Sequence, residues 1–482
     1  MKIKTKYLVF LLFAITLAFR LYMAFSVDNF STETSYYNLR HINYLVEERS
    51  IIYYDELSYG GRYILQPPLF FVIMALLTFG NEFLLKIIPE IFLSFLVVIV
   101  YLMAKEISEN EYSALFAALI SSFIPIFLEK TINNISVYSL ALPLLFFMLY
   151  SLLKIEEKFY RNCFIACSFL LPLIHPIAVI FIVTIGFYFL ILSGGAIHTT
   201  KLKREAILFS VLAIIFIELW IYKKALFTYN LNIIWQNIPV NILEDTYKEF
   251  MVKDLVLGVG IIPLILGSIG VYIGMNEKRK AIYLYAAFVL TILLLLVLRL
   301  VTISIGLMIL GIAMSIFSAL TIVKFVNYFK KTRFHGLNYF FVLILIFSFI
   351  FLSFIPSFGN NLNEISDEKL NDMKWIQEHT TSDEVIVGNL LEGHLITSVA
   401  ERKNIMDINF LLAPNPIKRM KEVDLIYSSF TEARVLELIK KYNIKIIYLS
   451  EDTEKLYGIK DLNFVKGSNC FDWEAKFYVF KC

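Results

Sequence analysis

The sequence predicts a polytopic α-helical membrane protein of about 11 transmembrane helices, closed by a small soluble α/β domain. Three observations predict it. Of 482 residues, 58% are hydrophobic and 18% charged, against about 45–50% and about 25% in soluble domains. The apolar residues gather into runs of about 18–25, each enough for a helix across about 30 Å of hydrocarbon. The last 125 or so residues (358–482) lose that pattern and alternate short strands with helices. A collagen, a coiled coil, a disordered chain and a soluble multidomain enzyme are excluded. The net charge of +3 gives no reason to expect nucleic acid.

The first run, 7–27, follows Lys2, Lys4 and Lys6 and carries Arg20 near its far end. It is longer than a signal-peptide core and reads as a retained anchor. Further spans are expected at 83–104, 111–128, 135–153, 162–175, 176–192, 206–222, 252–275, 281–298, 300–323 and 337–356. The stretch 162–192 is too long for one span and breaks at His175-Pro176, where proline disfavours helix in the residue before it. The piece 68–79 would rise only about 18 Å as a helix, too little to cross. With it left re-entrant or interfacial, the basic loops at Lys105, Lys154–Arg161, Lys201–Arg204, Lys278–Lys280 and Lys324–Arg333 all fall on the side of the N-terminal lysines. That satisfies the positive-inside rule. The N-terminus is therefore expected in the cytoplasm of a multi-pass cell-membrane protein. An outer loop, 28–82, and the tail are expected on the extracytoplasmic side. The domains are then 1–357 and 358–482.

Cys163 and Cys167, one helical turn apart in an apolar run, read as small core residues. Cys470 and Cys482 lie in the tail, and an oxidising space would let them pair.

Polar groups are expensive at the bilayer and concentrate function there. The outer loop is the richest place: Asp28, Glu33, Tyr36, Tyr37, Asn38 and Arg40, then Asp55, Glu56, Gly61 and Arg62, then Gln66-Pro67-Pro68. Glu33 stands within reach of the membrane surface, where a carboxylate serves as general base or cation ligand.

This arrangement resembles the type C polytopic glycosyltransferases, which take sugars from polyprenyl-phosphate lipids, and most of all archaeal relatives of the oligosaccharyltransferase catalytic subunit. The family pattern is an acid, two aromatics, a polar residue and an Arg, then Gly-Arg, then a Pro-led helix. Glu33, Tyr36, Tyr37, Asn38 and Arg40 match its first part; Gly61-Arg62 and Pro67-Pro68 match the rest. The stretch Glu392 to Asp407 is similar to the region after the family's acceptor motif. The chain departs from the pattern too. Glu33 replaces a common Asp, Glu129 with Asn133 and Asn134 replaces a richer second acidic cluster, and no Trp-Trp-Asp stands at 388–393.

The resemblance implies an inverting transfer of a sugar or oligosaccharide from the lipid-linked donor to a protein or lipid acceptor outside the cell. Glu33 is then the group that activates the acceptor, either directly as general base or through a divalent cation, Mg or Mn, shared with Glu129. Donor phosphate needs positive charge. Arg299, at the outer junction of two late spans, is the first candidate, followed by His175, Arg20 and Arg40. Tyr36, Tyr37, Asp55, Glu56 and Arg62 are expected along the acceptor side. Glu90 and Glu218, acids inside spans, are also suspects. Two other readings stay open: a degenerate relative that binds lipid-linked sugar without turnover, and a transporter or flippase.

Overall fold

The computed structural model describes residues 5–195, 199–240, 242–243, 250–277, 279–332, 338–349, 351–352, 364–465 and 468–482. The expected domain boundary at 357/358 lies outside them.

Helix α1, Thr5–Ala24, coincides with the first expected span. The expected outer loop is structured instead. Helix α2, Glu33–Glu48, opens it, a two-stranded antiparallel ladder joins β1, Tyr54–Asp55, to β2, Arg62–Tyr63, and α3, Leu69–Thr78, closes it. Ten residues give α3 a rise of about 15 Å, too short to cross.

The membrane part continues with α4, Glu82–Ser108, then α5, Glu111–Ser122, and α6, Pro125–Thr131. Next come α7, Tyr138–Leu153, α8, Lys158–Ile174, α9, Ala178–Gly194, and α10, Lys201–Tyr229. The last are α11, Val252–Val259, α12, Ile261–Asn276, α13, Lys280–Val297, α14, Ile303–Lys330, and α15, Asn338–Phe349. Among the described residues five helices are long and apolar enough to cross a membrane, or seven if two bent pairs each count as one span. The span expected at 252–275 is one of those pairs. It bends by 105° at Gly260, whose φ of +91° suits a residue without Cβ. The other, α5 with α6, bends by 50° where Pro125 starts the second helix.

Helix α14 is the axis of the bundle: 94% of its apolar window is buried, against 17% for α10. Small residues let α12 approach it. A Cβ on Gly270 would come within 2.1 Å of the Phe317 carbonyl oxygen, and one on Gly267 within 2.7 Å of that of Met314. With no hydrophobic drive between helices in lipid, such close backbone contact is what holds them.

The tail folds as expected into helices on a sheet. It contains α16, Asp367–His379, β3, Val385–Val387, α17, Gly393–Ser398, and β4, Lys403–Asn404. There follow α18, Pro416–Ser428, α19, Glu432–Tyr442, β5, Ile444–Tyr448, and α20, Glu451–Tyr457. Strands β6, Phe471–Glu474, and β7, Phe477–Phe480, end it. The strand order is β4-β3-β5-β7-β6. Strand β3 runs parallel to β4 and β5, while β7 runs antiparallel to β5 and β6. All three residues of β3 are buried, as a parallel strand covered on both faces requires. A disulfide joins Cys470 to Cys482.

Candidate active site

The site is built around the first turn of α2. Thr32 caps it from an extended conformation, its hydroxyl accepting the Ser35 N–H at 3.2 Å. Glu33 follows as the first helical residue, half-buried, at the end where free N–H groups and the helix dipole favour negative charge.

The segment after α6 grips this turn. Ser31 N–H donates to the Asn133 carbonyl at 3.1 Å, and Ser35 Oγ donates to Asn134 Oδ1 at 2.7 Å. The Ile135 N–H donates to Ser35 Oγ at 3.2 Å, and Asn38 Nδ2 donates to the Ile135 carbonyl at 2.7 Å. Asn133 reaches this position at a φ of +53°, in the left-handed region that Asn tolerates better than most. Beneath it lies a buried ion pair. Arg20 Nε donates to Glu90 Oε2 at 2.6 Å, and Glu90 Oε1 accepts the Asn133 N–H at 2.8 Å. Arg20 also donates to Thr131 Oγ1 at 2.8 Å.

The tail reaches the same turn from the other side. Ile365 N–H donates to the Phe30 carbonyl at 3.1 Å, and Asn29 Nδ2 donates to Asp367 Oδ1 at 2.7 Å. Lys369, on α16, hydrogen-bonds Asp452 at 2.5 Å and lies within electrostatic range of Glu33.

Further along α2 the seam with the tail is polar and buried. Arg62 donates to Ser58 Oγ at 2.6 Å, to the Leu411 carbonyl at 3.0 Å and to Asp407 Oδ1 at 3.4 Å. Asp407, fully buried, also accepts Ser58 Oγ at 2.6 Å. The Tyr37 ring lies between those of His41 and His394, with centroids 4.4 and 4.6 Å away. Burial, with Arg40 beside it, pushes the His41 imidazole down to about 3. Burial pushes His394 down as well, against the pull of Asp407. Burial alone would raise Asp407 and Asp55. The charges of Arg62 on the first and the hydrogen bonds and charge of Arg40 on the second hold both below the ordinary carboxylate value.

These contacts revise several expectations from the sequence. Arg20, expected at donor phosphate, is fully buried and committed to Glu90. Arg40 donates to both oxygens of Asp55, at 2.7 and 2.9 Å. Arg62 and Tyr37 join loop to tail. Tyr36 packs its ring against Phe30 at 5.8 Å, while Glu56 is exposed. His175 caps α8, its Nδ1 accepting the Ile177 N–H at 3.0 Å, and its ring lies 4.9 Å from that of Tyr138. Arg299 forms the turn between α13 and α14 at a φ of +55°, its carbonyl accepting Trp235 Nε1 at 3.0 Å.

Glu129 does not join Glu33 in a cation site. It is exposed on α6 and paired with Lys130 at 2.7 Å, and what meets α2 from that segment is the Asn134 amide. Divalent cations want about six or more oxygen ligands, carboxylates foremost. Among the described residues no group of three or more His, Cys, Asp or Glu comes together to hold one. Among the described residues, the oxygen set around Glu33 does not fit a resident divalent cation. The Asn134 contact and the histidine pair went unread in the sequence, because their partners lie 99 and 353 residues away.

Solved structures of the same architecture exist. Oligosaccharyltransferase AglB from Archaeoglobus fulgidus, in complex with an inhibitory peptide and a dolichol-phosphate, superposes with a TM-score of 0.73 at 13% identity. The match covers 99% of this chain and 74% of that one. The chain has the fold of the type C glycosyltransferases. ArnT from Cupriavidus metallidurans bound to undecaprenyl phosphate shares this type C fold, with a TM-score of 0.61 at 10% identity over 99% of this chain and 98% of that one. Arabinofuranosyltransferase AftD from Mycobacteria matches at 0.56 and 13% over 98% of this chain and 37% of that one. No family model and no curated protein matches the sequence.

Proposed function

We propose that this chain is a membrane glycosyltransferase that moves a sugar or oligosaccharide from a polyprenyl-phosphate-linked donor to a protein or lipid acceptor on the extracytoplasmic side. The observation that carries the reading is Glu33, a half-buried carboxyl at the positive end of α2, held from both sides in a type C fold. The AglB and ArnT structures contain dolichol-phosphate and undecaprenyl phosphate, which supports a lipid-phosphate donor here. The Cys470–Cys482 disulfide supports an oxidising, extracytoplasmic tail and a cytoplasmic N-terminus. Residues 1–357 are read as the membrane transferase domain and 358–482 as the outer domain.

Glu33 takes the proton of the acceptor nucleophile as it attacks the anomeric carbon. The bond from that carbon to the phosphate oxygen breaks, the phosphate leaves with the electron pair, and a single in-line displacement inverts the centre. The phosphate is assigned to Arg299, the guanidinium at the turn between α13 and α14, because the charge that develops on it needs a cation. No step is routed through a metal, because the described oxygen set around Glu33 does not suit one.

Glu33→Gln tests the reading. Loss of general-base catalysis lowers the transfer rate by about 10²–10⁴ while donor binding persists. A variant that transfers sugar at the full rate would end the assignment. The amide of Asn134, where a second acid was expected, favours one other reading: a binder of lipid-linked sugar without turnover. A wild-type chain that binds the donor and never transfers it would establish that one.

A further inference from the structure

Glu218 has no part in the reaction above, yet it is an acid in the least buried long helix of the bundle. Its neighbours on α10 include Leu212, Phe216, Leu219 and Trp220, all exposed and apolar. Glu218 itself is half-buried, and its Oε1 is sealed from solvent with no hydrogen-bond partner among the described residues. An ionisable residue inside a membrane is costly and turns towards the bundle interior or a cavity, where it marks a ligand path.

Three side chains lead away from it in turn. Tyr222, one turn further along α10, lies within electrostatic range of both Glu218 and Tyr138. Tyr138 begins α7, with its ring 4.9 Å from that of His175. Because His175 Nδ1 accepts the Ile177 N–H, the neutral ring carries its proton on Nε2, as a donor.

The group is tied to the catalytic end of the bundle. Tyr138 follows Ile135 by three residues, and Ile135 is held by Ser35 and Asn38 in the first turns of α2, beside Glu33. From Lys201 to Glu218, α10 rises about 26 Å, most of the hydrocarbon thickness.

We propose that Glu218, Tyr222, Tyr138 and His175 form the contact for the donor's sugar ring, reading its hydroxyls and not its phosphate. The proposal rests on the transferase reading above. The chemistry selects the ligand. None of the four is Lys or Arg, and a phosphate would meet a carboxyl. A hydroxyl can donate to the unpartnered Oε1, and the rings offer flat faces to the C–H side of a pyranose. His175 adds one N–H donor.

The test uses the full chain in lipid nanodiscs. The probes are sugar-free undecaprenyl phosphate and undecaprenyl-phosphate glucose, galactose and mannose. Glu218→Leu places a residue more favourable in a membrane helix than an acid, so thermal stability is expected to hold or rise. Affinity for the sugar-free lipid should not change. The KM for the preferred hexosyl donor should rise about tenfold or more, with kcat less affected, as expected when a hydrogen bond in a buried site is lost. Glu218→Gln keeps a carbonyl acceptor and should stay within about threefold of wild type. Wild-type KM and sugar preference in Glu218→Leu overturn the proposal, and so does an equal loss of affinity for the sugar-free lipid. If Glu218→Leu fails to fold, the acid is structural and the proposal falls. Each of these leaves the transferase reading standing, provided Glu33→Gln still lowers the transfer rate by about 10²–10⁴. A wild-type chain that binds none of the hexosyl lipids removes both.

Discussion

Replacing Asp407 with Ala removes the acceptor of four hydrogen bonds at the seam between outer loop and tail. Ser58 Oγ donates at 2.6 Å, the Asn409 N–H at 2.9 Å, Asn404 Nδ2 at 3.2 Å and Arg62 at 3.4 Å. Both charges are about 1% exposed, so Arg62 would be left in the interior without its counter-charge. Breaking one side of a buried ion pair costs about 3–5 kcal/mol. Arg62 keeps its bonds to Ser58 and the Leu411 carbonyl, which favours the lower end, about 3 kcal/mol or about 150-fold in the docking equilibrium. Hydrogen exchange of the full chain measures this directly. Amides of 57–64 and 404–412 should lose about two decades of protection, while those of α14 keep theirs. The double variant Arg62→Met with Asp407→Leu should recover most of it, because apolar replacement of a whole buried pair is often neutral. Unchanged protection at 404–412 in Asp407→Ala would refute the reasoning, since the pair would then hold nothing together.

Three other outcomes are expected. The seam should loosen on acidification: His41 sits at about 3 in the folded chain against about 6.5 when free, so its contribution is whole above 6.5 and fades as pH falls towards 3, by at most about 3 kcal/mol at pH 4. Exchange of 404–412 followed from pH 7 to 4 reads this, and His41→Phe should flatten the profile. Gly270→Ala should destabilise the bundle by about 1–3 kcal/mol, because the new Cβ meets the Phe317 carbonyl oxygen; Gly186→Ala, with nothing within 4 Å, should not. Thermal unfolding of the two variants side by side tells them apart. A chelator should leave sugar transfer unchanged, and a rate lost with chelator and restored by Mn would show that the oxygen set around Glu33 is richer than it looks.

The apolar helices were legible because hydropathy marks a segment whether it packs inside the bundle, like α14, or on its surface, like α10. About 11 spans were expected, where five to seven of the described helices or bent pairs are long and apolar enough to cross. The strands of the tail were legible because β-branched runs alternate with amphipathic helices. The broken span was legible in part: Gly260 and Pro263 both sit inside 252–275, yet the run is apolar throughout and reads as one segment. Helix α2 was missed because its apolar residues occupy one face among polar ones, so no hydropathy run marks it. Its signals were Thr32 as a cap and Leu39, Ile42 and Leu45 at helical spacing. What no single sequence carries is pairing. Arg20 and Arg40 looked like phosphate ligands because a lone cation near a membrane suggests one. Their partners, Glu90 and Asp55, are ordinary acids 70 and 15 residues away until the fold joins them.

The first turn of α2 is clasped on one flank by residues 133–135 and on the other by residues 365–367. A chain shortened after its last hydrophobic segment would therefore insert and pack correctly, yet carry its key acid on a helix supported on one flank. On the transferase reading proposed above, translation past residue 367 would be a condition for sugar transfer, and a protease that trims the C-terminal lobe would abolish it without touching the helical bundle.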